Sequence, residues 1–319
     1  MINRDKYKSW MGDDNFYAAV VADSTAMRPG YKETGVRLTT VEVGFPHIIL
    51  PQVLTHRQFS RNTSSSRAIP TQKLLDHTLK EGFIPSFWGK NQPGMQAEEE
   101  TDEKVLLYGT YAYDRKQAWT SALVTAYHWA KAFANAGYHK QIVNRLLEPF
   151  SWVKMVITAT EWENFFNLRL DHAAQPEIQQ LAHLINDAIS LSHPNILLED
   201  EWHLPYVEDL QEHPISVQLG ASTARCARVS YMNHDNSTPD LEKDIALYTD
   251  LKKAGHMSPF EHQAKPMYLP KRHEELRPSF IMKEQGITHV DMDGNTWSGN
   301  FREWIQHRQI EDYQVVGNV

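Results

Sequence analysis

The stretch LTHRQFSRNTSSSR, residues 54–67, decides how this chain is read. His56, Arg57 and Arg67 flank a run crowded with hydroxyl and amide side chains, and the segment from Arg57 to Pro70 is a loop by composition. Guanidinium forks and serine hydroxyls are the groups that hold a phosphate monoester. Each charge-assisted hydrogen bond of this kind contributes about 1.5–3 kcal/mol when well aligned. The surrounding charge is uneven: no acidic residue falls between Glu42 and Asp76, yet Arg57, Arg61, Arg67 and Lys73 all do. Spacing alone does not separate such an anion site from a solvated basic loop.

Outward from this stretch, LTTVEVG (38–44) alternates and is β-branched, which predicts a strand. HIILPQVLTH (47–56) is short and apolar and reads as a buried helix, with Pro51 in a first turn or at a kink. NQPGMQAEEETDE (91–103) reads as a charged surface excursion. The next hundred residues read as helical. AWTSALVTAYHWAKAFANAG (118–137) is a long helix closed by Gly137; KQIVNRLLEPF follows, then a helical pattern through TATEWENFFNLRL (158–170). In AAQPEIQQLAHLINDAISL, residues Ile178, Leu181, Leu184, Ile185 and Ala188 form one apolar stripe. A Pro/His/Glu-rich connector (193–216) precedes two more helices, QLGASTARCARVSY and TPDLEKDIALYTDLKKAG, the latter with Thr238 as N-cap and Gly255 as C-cap. A short strand, a Pro- and Lys-rich loop and a closing helix over GNFREWIQHRQIEDY (299–313) complete the reading. Trp129, Trp152 and Trp162 fall in predicted helices and read as core.

With 319 residues and 41% hydrophobic content the chain can bury a substantial core. No apolar run approaches the roughly 20 residues that span a bilayer, and the opening residues lack a signal core, so a soluble, membrane-free, cytoplasmic protein of a bacterium or a virus-infected host cell is expected. The single Cys226 excludes an internal disulfide and reads as a packed core thiol; His139, His172 and His183 make no metal set. A net charge of -8 argues against tight nonspecific binding to nucleic acid.

The decisive stretch resembles the signature of flavin-dependent thymidylate synthases: Arg-His-Arg, seven residues, then Ser, with Asn and a further Arg. Here His56 and Arg57 are followed by seven residues, Ser65 and Arg67, with Asn62 in the family position and Gln52 just upstream. NFFNLRLDHAAQPEIQQLA (164–182) resembles the family's helix pair, and ARVSY (227–231) with GHMSPFEH (255–262) its other flavin-binding stretch. In the family the last two precede the Arg-His-Arg motif; here they follow it by some 170 residues, for which a circular permutation is the simplest explanation.

The resemblance implies a single α+β domain over 1–319, a small mixed or antiparallel sheet with long helices. Its motif half would be 38–192, its permuted half 218–270 and its C-terminal extension 271–319. It implies FAD held by His56, Arg57, Asn62, Asn167, Arg169, Ser230, His256 and Ser258. A pyrimidine deoxynucleotide would lie on Gln52, Thr63, Ser65, Ser66, Arg67 and Gln179, with Gln179 and Arg67 taking part in the chemistry. His262 and Glu261 read as structural. Methylenetetrahydrofolate and NADPH would be co-substrates, and the assembly a homo-oligomer, a tetramer in the family. The default reaction is methylation of dUMP to dTMP.

Five departures from the family pattern bear on this. Thr55 replaces the first Arg, and Thr63 and Ser66 stand for Glu and Gly. Thr160 stands for an Arg that helps bind phosphate, and Gln179 for the Arg that favours ionisation at uracil N3. A neutral amide stabilises a developing anion far less than a guanidinium does. Either Arg169, Arg302 or Arg308 substitutes in space, or the outcome differs: hydroxymethylation or hydroxylation at C5 of dUMP or dCMP. A non-catalytic nucleotide-binding relative is the remaining alternative.

Overall fold

The computed structural model describes residues 7–27, 34–229, 238–267 and 286–311. Along the chain come β1 (Ser9–Gly12), β2 (Tyr17–Met27), β3 (Thr34–Pro46) and the short α1 (Leu50–Val53). Then follow β4 (Ser60–Thr63), α2 (Thr71–Glu81), the hairpin of β5 (Val105–Leu107) and β6 (Tyr111–Tyr113), and α3 (Arg115–Asn135). α4 (Lys140–Val143) leads to β7 (Trp152–Ala159), α5 (Glu163–Arg169), α6 (Pro176–Leu191) and β8 (Asn195–Leu197). The last third holds α7 (Ile215–Arg228), α8 (Leu241–Ala254) and β9 (Ala264–Pro266). Short strands β10 (His289–Val290), β11 (Thr296–Ser298), β12 (Phe301–Arg302) and β13 (Trp304–Gln306) precede the turn α9 (His307–Ile310).

The main sheet runs β1-β2-β3-β7-β4 with antiparallel neighbours, and β8 joins β2 in parallel. Strand side chains alternate between faces, so this sheet has two unlike surfaces. One carries Ala18, Val20, Val41, Val43, Phe45, Met155 and Ile157. It packs on the stripe of α6 formed by Ile178, Leu181, Ala182, Ile185 and Ala188. Each large apolar side chain buried there stabilises the fold by roughly 1.5–3 kcal/mol.

The other face carries Tyr17, Thr40, Glu42, Val156 and Thr158, and it is buried as well, beneath Tyr206, Cys226 and Val229. A buried carboxylate needs hydrogen-bond donors to offset lost hydration. Glu42 accepts from the hydroxyls of Tyr17 (2.5 Å), Tyr206 (2.7 Å) and Tyr7 (3.2 Å). Burial first, and the Glu42 charge second, push all three phenols well above their ordinary pKa. Beyond this layer, the buried Arg225 bonds Asp209 (2.6 Å) and Asp244 (2.9 Å), tying α7 to α8.

Several elements differ from the sequence reading. Residues 152–159 form strand β7, the partner of both β3 and β4, rather than part of a helix; the run WVKMVITA is β-branched and buried on both faces, a pattern that periodicity does not separate from a buried helix. Tyr17–Met27 is a central strand, and the Arg57–Pro70 loop contains strand β4. In place of the helix expected over 299–313, the described residues form the short strands β12 and β13 followed by only four helical residues. α8 is capped by Asp240, whose carboxylate accepts from the Glu242 and Lys243 amides, not by Thr238; Gly255 closes it at φ 71° as read. Trp129 is 61% exposed rather than core, and Trp152 lies on a strand. The connector 193–216 contributes β8 and two fully buried side chains, His203 and Tyr206. Cys226 is buried as expected, and burial pushes its thiol far up.

Candidate functional site

α1 ends at Val53 and the chain turns through Leu54 and Thr55 into β4, a path held by Arg61. Its guanidinium donates to the carbonyls of Leu54 (2.7 Å) and Val53 (3.2 Å). The turn sinks His56 against Phe59 and Phe165, the latter edge-on at 5.0 Å. Arg169, at the end of α5, donates from Nε to His56 Nε2 at 2.9 Å and from Nη2 to Thr55 Oγ1 at 3.4 Å. The imidazole is therefore an acceptor. Burial, then the charges of Arg169 and Arg61, push its pKa down to about 4.

Two further segments reach the same stretch. Gln52 donates to Gln175 Oε1 at the N-cap of α6, and Gln175 donates onward to Glu177 at 2.9 Å. The 255–262 segment reaches β4. The Asn62 amide faces the carbonyl oxygens of Arg61 (3.0 Å) and Ser258 (3.1 Å) and the Nε2 of His262 (3.2 Å), so its nitrogen is turned toward them. Residues 52–67 are thus joined by α5, by the start of α6 and by the segment that follows α8.

The candidate residues divide by what they are committed to. Arg57, Ser65, Arg67, Asn167, His256 and Ser258 are exposed. Among the described residues no carboxylate lies within ion-pair distance of Arg57, Arg61, Arg67 or Arg169. Thr63 is half-buried on β4 opposite Met155. Ser66 is engaged: its hydroxyl donates to Glu148 at 2.7 Å. The Gln179 amide nitrogen donates to the carbonyls of Asp171 (3.0 Å) and Leu170 (3.3 Å), which leaves its oxygen as the remaining acceptor. Ser230 lies outside the described residues.

Two contacts were not legible in the sequence, and the structure also places two of the arginines expected to substitute in space. Gln175, a member of the AAQPEIQQLA motif with no role of its own there, bridges Gln52 to Glu177. His262, read as structural, touches Asn62. Arg302 donates from its backbone to Thr160 Oγ1 at 3.2 Å while its guanidinium pairs with Glu161 at 2.6 Å. Arg302 thus reaches Thr160 through its backbone, from a strand 142 positions later, while its charge is met by Glu161. No local pattern announces a contact of that separation. Arg308 pairs instead with Glu261.

The uncompensated guanidiniums fit anionic ligands such as phosphates, and a neutral imidazole beneath them fits a group that is not itself to be charged. No group of His, Cys, Asp and Glu among the described residues forms a metal site. No helix among them is long and apolar enough to cross a membrane.

Comparison with known proteins bears on this arrangement. The sequence profile of the family described as thymidylate synthase complementing protein (Thy1) matches residues 36–195, half of the chain. No curated protein matches. Among solved structures, the UMP/dUMP methylase PolB from Streptomyces cacaoi bound with 5-Br UMP is 18% identical over 48% of this chain and 69% of that one, with a TM-score of 0.37. Flavin-dependent thymidylate synthase ThyX from Helicobacter pylori, complexed with FAD and dUMP, is also 18% identical, over 48% of this chain and 67% of that one, with a TM-score of 0.32. At these scores neither superposition assigns a role to any residue here.

Proposed function

This chain belongs to the thymidylate synthase complementing protein family, and from that premise we propose that it modifies C5 of a pyrimidine deoxynucleoside monophosphate with FAD as cofactor. The observation that carries the reading is the buried neutral His56, held by Arg169 and lowered by the charges of Arg169 and Arg61, with Arg57 and Arg67 exposed on the same segment and no carboxylate within ion-pair distance of the four among the described residues. Guanidiniums without a carboxylate partner remain available to an anionic ligand. Bound flavin would supply the hydride chemistry.

The chain's own part is orientation and charge placement. His56, Arg57, Asn62, Asn167 and Arg169 would hold the cofactor, with His256 and Ser258 reaching it from the segment after α8 and Ser230 from beyond α7. Gln52, Thr63, Ser65 and Arg67 would hold the nucleotide. Ser66 would first have to release Glu148. A circularly permuted family fold accounts for a 255–262 segment that meets β4 although it follows it in sequence, and for a family match that stops at residue 195. A folate one-carbon donor, NADPH and a homo-tetramer complete the proposal.

A second reading keeps the site and changes the product, and Gln179 favours it. With its nitrogen committed to two carbonyls, its oxygen can accept from a base N–H but cannot stabilise an anion at N3. That suits a neutral uracil or the amine of cytosine, and hydroxymethylation or hydroxylation at C5. Purified protein loaded with FAD would be incubated with dUMP or dCMP, with and without methylenetetrahydrofolate and NADPH, and the product weighed by mass spectrometry. Conversion of dUMP to dTMP supports the first reading; a gain of one oxygen or one hydroxymethyl group supports the second. A protein that binds neither FAD nor nucleotide overturns both in favour of a non-catalytic relative.

A further inference from the structure

Asn62 is the end of a continuous line of hydrogen bonds that crosses the polar face of the main sheet. From Ser24 Oγ on β2 the line passes to His203 Nδ1 (2.9 Å), and from His203 Nε2 to Thr40 Oγ1 on β3 (2.8 Å). It continues from Thr40 to Thr158 Oγ1 on β7 (2.7 Å) and from Thr158 to His262 Nδ1 (2.8 Å). His262 Nε2 then meets Asn62 on β4. Thr40 and Thr158 are paired residues in neighbouring strands, which places their hydroxyls on one face and in contact. Ser24, Thr40, Thr158, His203 and His262 are all buried.

A hydroxyl has one proton to give, and so has a neutral imidazole, so the line must run in one direction throughout. Its sense is set at one end. The Arg61 and Ser258 carbonyls only accept, so the Asn62 amide must present its nitrogen to this cluster and donate. His262 Nε2 then accepts and its Nδ1 carries the proton, given to Thr158. Thr158 gives to Thr40, Thr40 to His203 Nε2, and His203 Nδ1 to Ser24. Burial pushes both histidines down to about 3, so neither gains the second proton that would break this order.

We propose that His262, backed by Thr158, Thr40 and His203, is a positioning residue that locks the Asn62 amide with its oxygen turned away from the protein cluster, as an acceptor for an N–H or O–H group of the bound ligand. In that orientation the contacts to Arg61, Ser258 and His262 are all made by the Asn62 nitrogen, and its oxygen points to the opposite side. The imide N–H of a flavin or of a pyrimidine is a donor of this class, and the identity of the ligand rests on the functional reading above. The role differs from pinning a turn, because it predicts a defined tautomer and an effect transmitted only through Asn62.

Two measurements test it. Dissociation constants for FAD and for dUMP would be measured by calorimetry on the parent protein, His262→Asn, His262→Gln, Asn62→Ala and the double variant His262→Asn/Asn62→Ala, with thermal melts confirming that each is folded. His262→Asn keeps a donor for Thr158 and loses the acceptor for Asn62; it weakens one of the two ligands roughly fivefold to tenfold, while His262→Gln, which restores an acceptor, recovers most of it. In the Asn62→Ala background His262→Asn adds nothing further. Independent losses that multiply in the double variant, or unchanged affinities in His262→Asn, overturn the proposal. Histidine ring 15N spectra give the second readout and need no ligand: a proton on His262 Nδ1 between pH 6 and 8 supports the proposal, and a proton on Nε2 overturns it. A parent protein that binds neither ligand removes the functional reading alone, and the spectrum still decides the orientation.

Discussion

The Nε–H of Arg169 donates to the Nε2 of His56 at 2.9 Å, so a guanidinium occupies the lone pair through which that imidazole would otherwise charge. Although 113 positions apart in sequence, the pair welds the Arg-rich turn to α5 and sets the protonation state at its centre.

The consequence for pH follows from the sign of the shifts. Burial and the neighbouring cations hold His56 at about 4, and burial holds His203 and His262 at about 3. Between about pH 6.5 and 4 the unfolded chain takes up protons at these residues that the folded chain refuses. Stability is therefore full above about pH 6.5 and falls as pH drops toward 4 and below. The urea midpoint is expected to be lower at pH 5 than at pH 7, and Arg169→Leu to raise the His56 pKa seen by NMR. A midpoint that does not move, with His56 titrating near its ordinary value, contradicts the buried pair.

Arg57 and Arg67 are exposed and make no side-chain hydrogen bond or ion pair among the described residues, whereas Arg61 holds two carbonyls. Arg57→Ala and Arg67→Ala should leave the melting temperature within about 1–2 °C of the parent and weaken dUMP or FAD binding by roughly 10- to 100-fold, the worth of one charge-assisted bond. Arg61→Ala should do the reverse in part, lowering stability by about 1–3 kcal/mol. Calorimetry and denaturation on the three variants separate the roles, and equal loss of stability in all three would count against them.

Glu42 depends on its three phenols. Tyr206→Phe removes one donor from a carboxylate that water does not reach and should cost about 1–3 kcal/mol in urea unfolding. Glu42→Gln trades an acceptor-only group for an amide among three donors, and a stability equal to the parent would mean that the phenols find other partners.

Cys226 is fully buried beside Gln263, and its thiol is pushed far above the ordinary range. Thiolate is the reactive form, so the native protein should resist a thiol reagent such as a chromogenic disulfide for hours and react once in denaturant. Stoichiometric labelling of the native protein within minutes would place the residue elsewhere.

What was legible in the sequence follows the range of the interactions. The α6 stripe, the Gly255 cap and the β3 alternation are set by neighbours within a turn or a strand, and they appear as read. β7 was not legible, because WVKMVITA lies beneath layers on both faces and so loses the alternation that marks a strand. The end of the chain was misread for the same reason in reverse. FREWIQH has helical spacing of its aromatic and apolar residues, but Trp304–Gln306 pairs with Ala264–Pro266 and buries Trp304 against Leu38 and Ala264. In the site, Arg57, Arg67 and Arg169 were marked by residue type and motif. The company they keep, Gln175 with Gln52, His262 with Asn62 and Arg302 with Thr160, depends on tertiary contacts that no local window contains.

The edge strand β4 takes its last partners from the far end of the chain: Gln306 donates to Ser60 Oγ at 3.1 Å across 246 positions, and Asn300 to the Gln58 carbonyl at 2.8 Å across 242. During synthesis, then, the Arg-rich turn leaves the ribosome well before the strands that will close over its edge. The backbone of β4 can pair with β7 as soon as residues 152–159 have emerged, but until residue 306 has followed, Ser60 and the Gln58 carbonyl lack these side-chain partners. Translation products halted between residues 270 and 299 should form their central strands and bind ligand more weakly than chains that extend past residue 306.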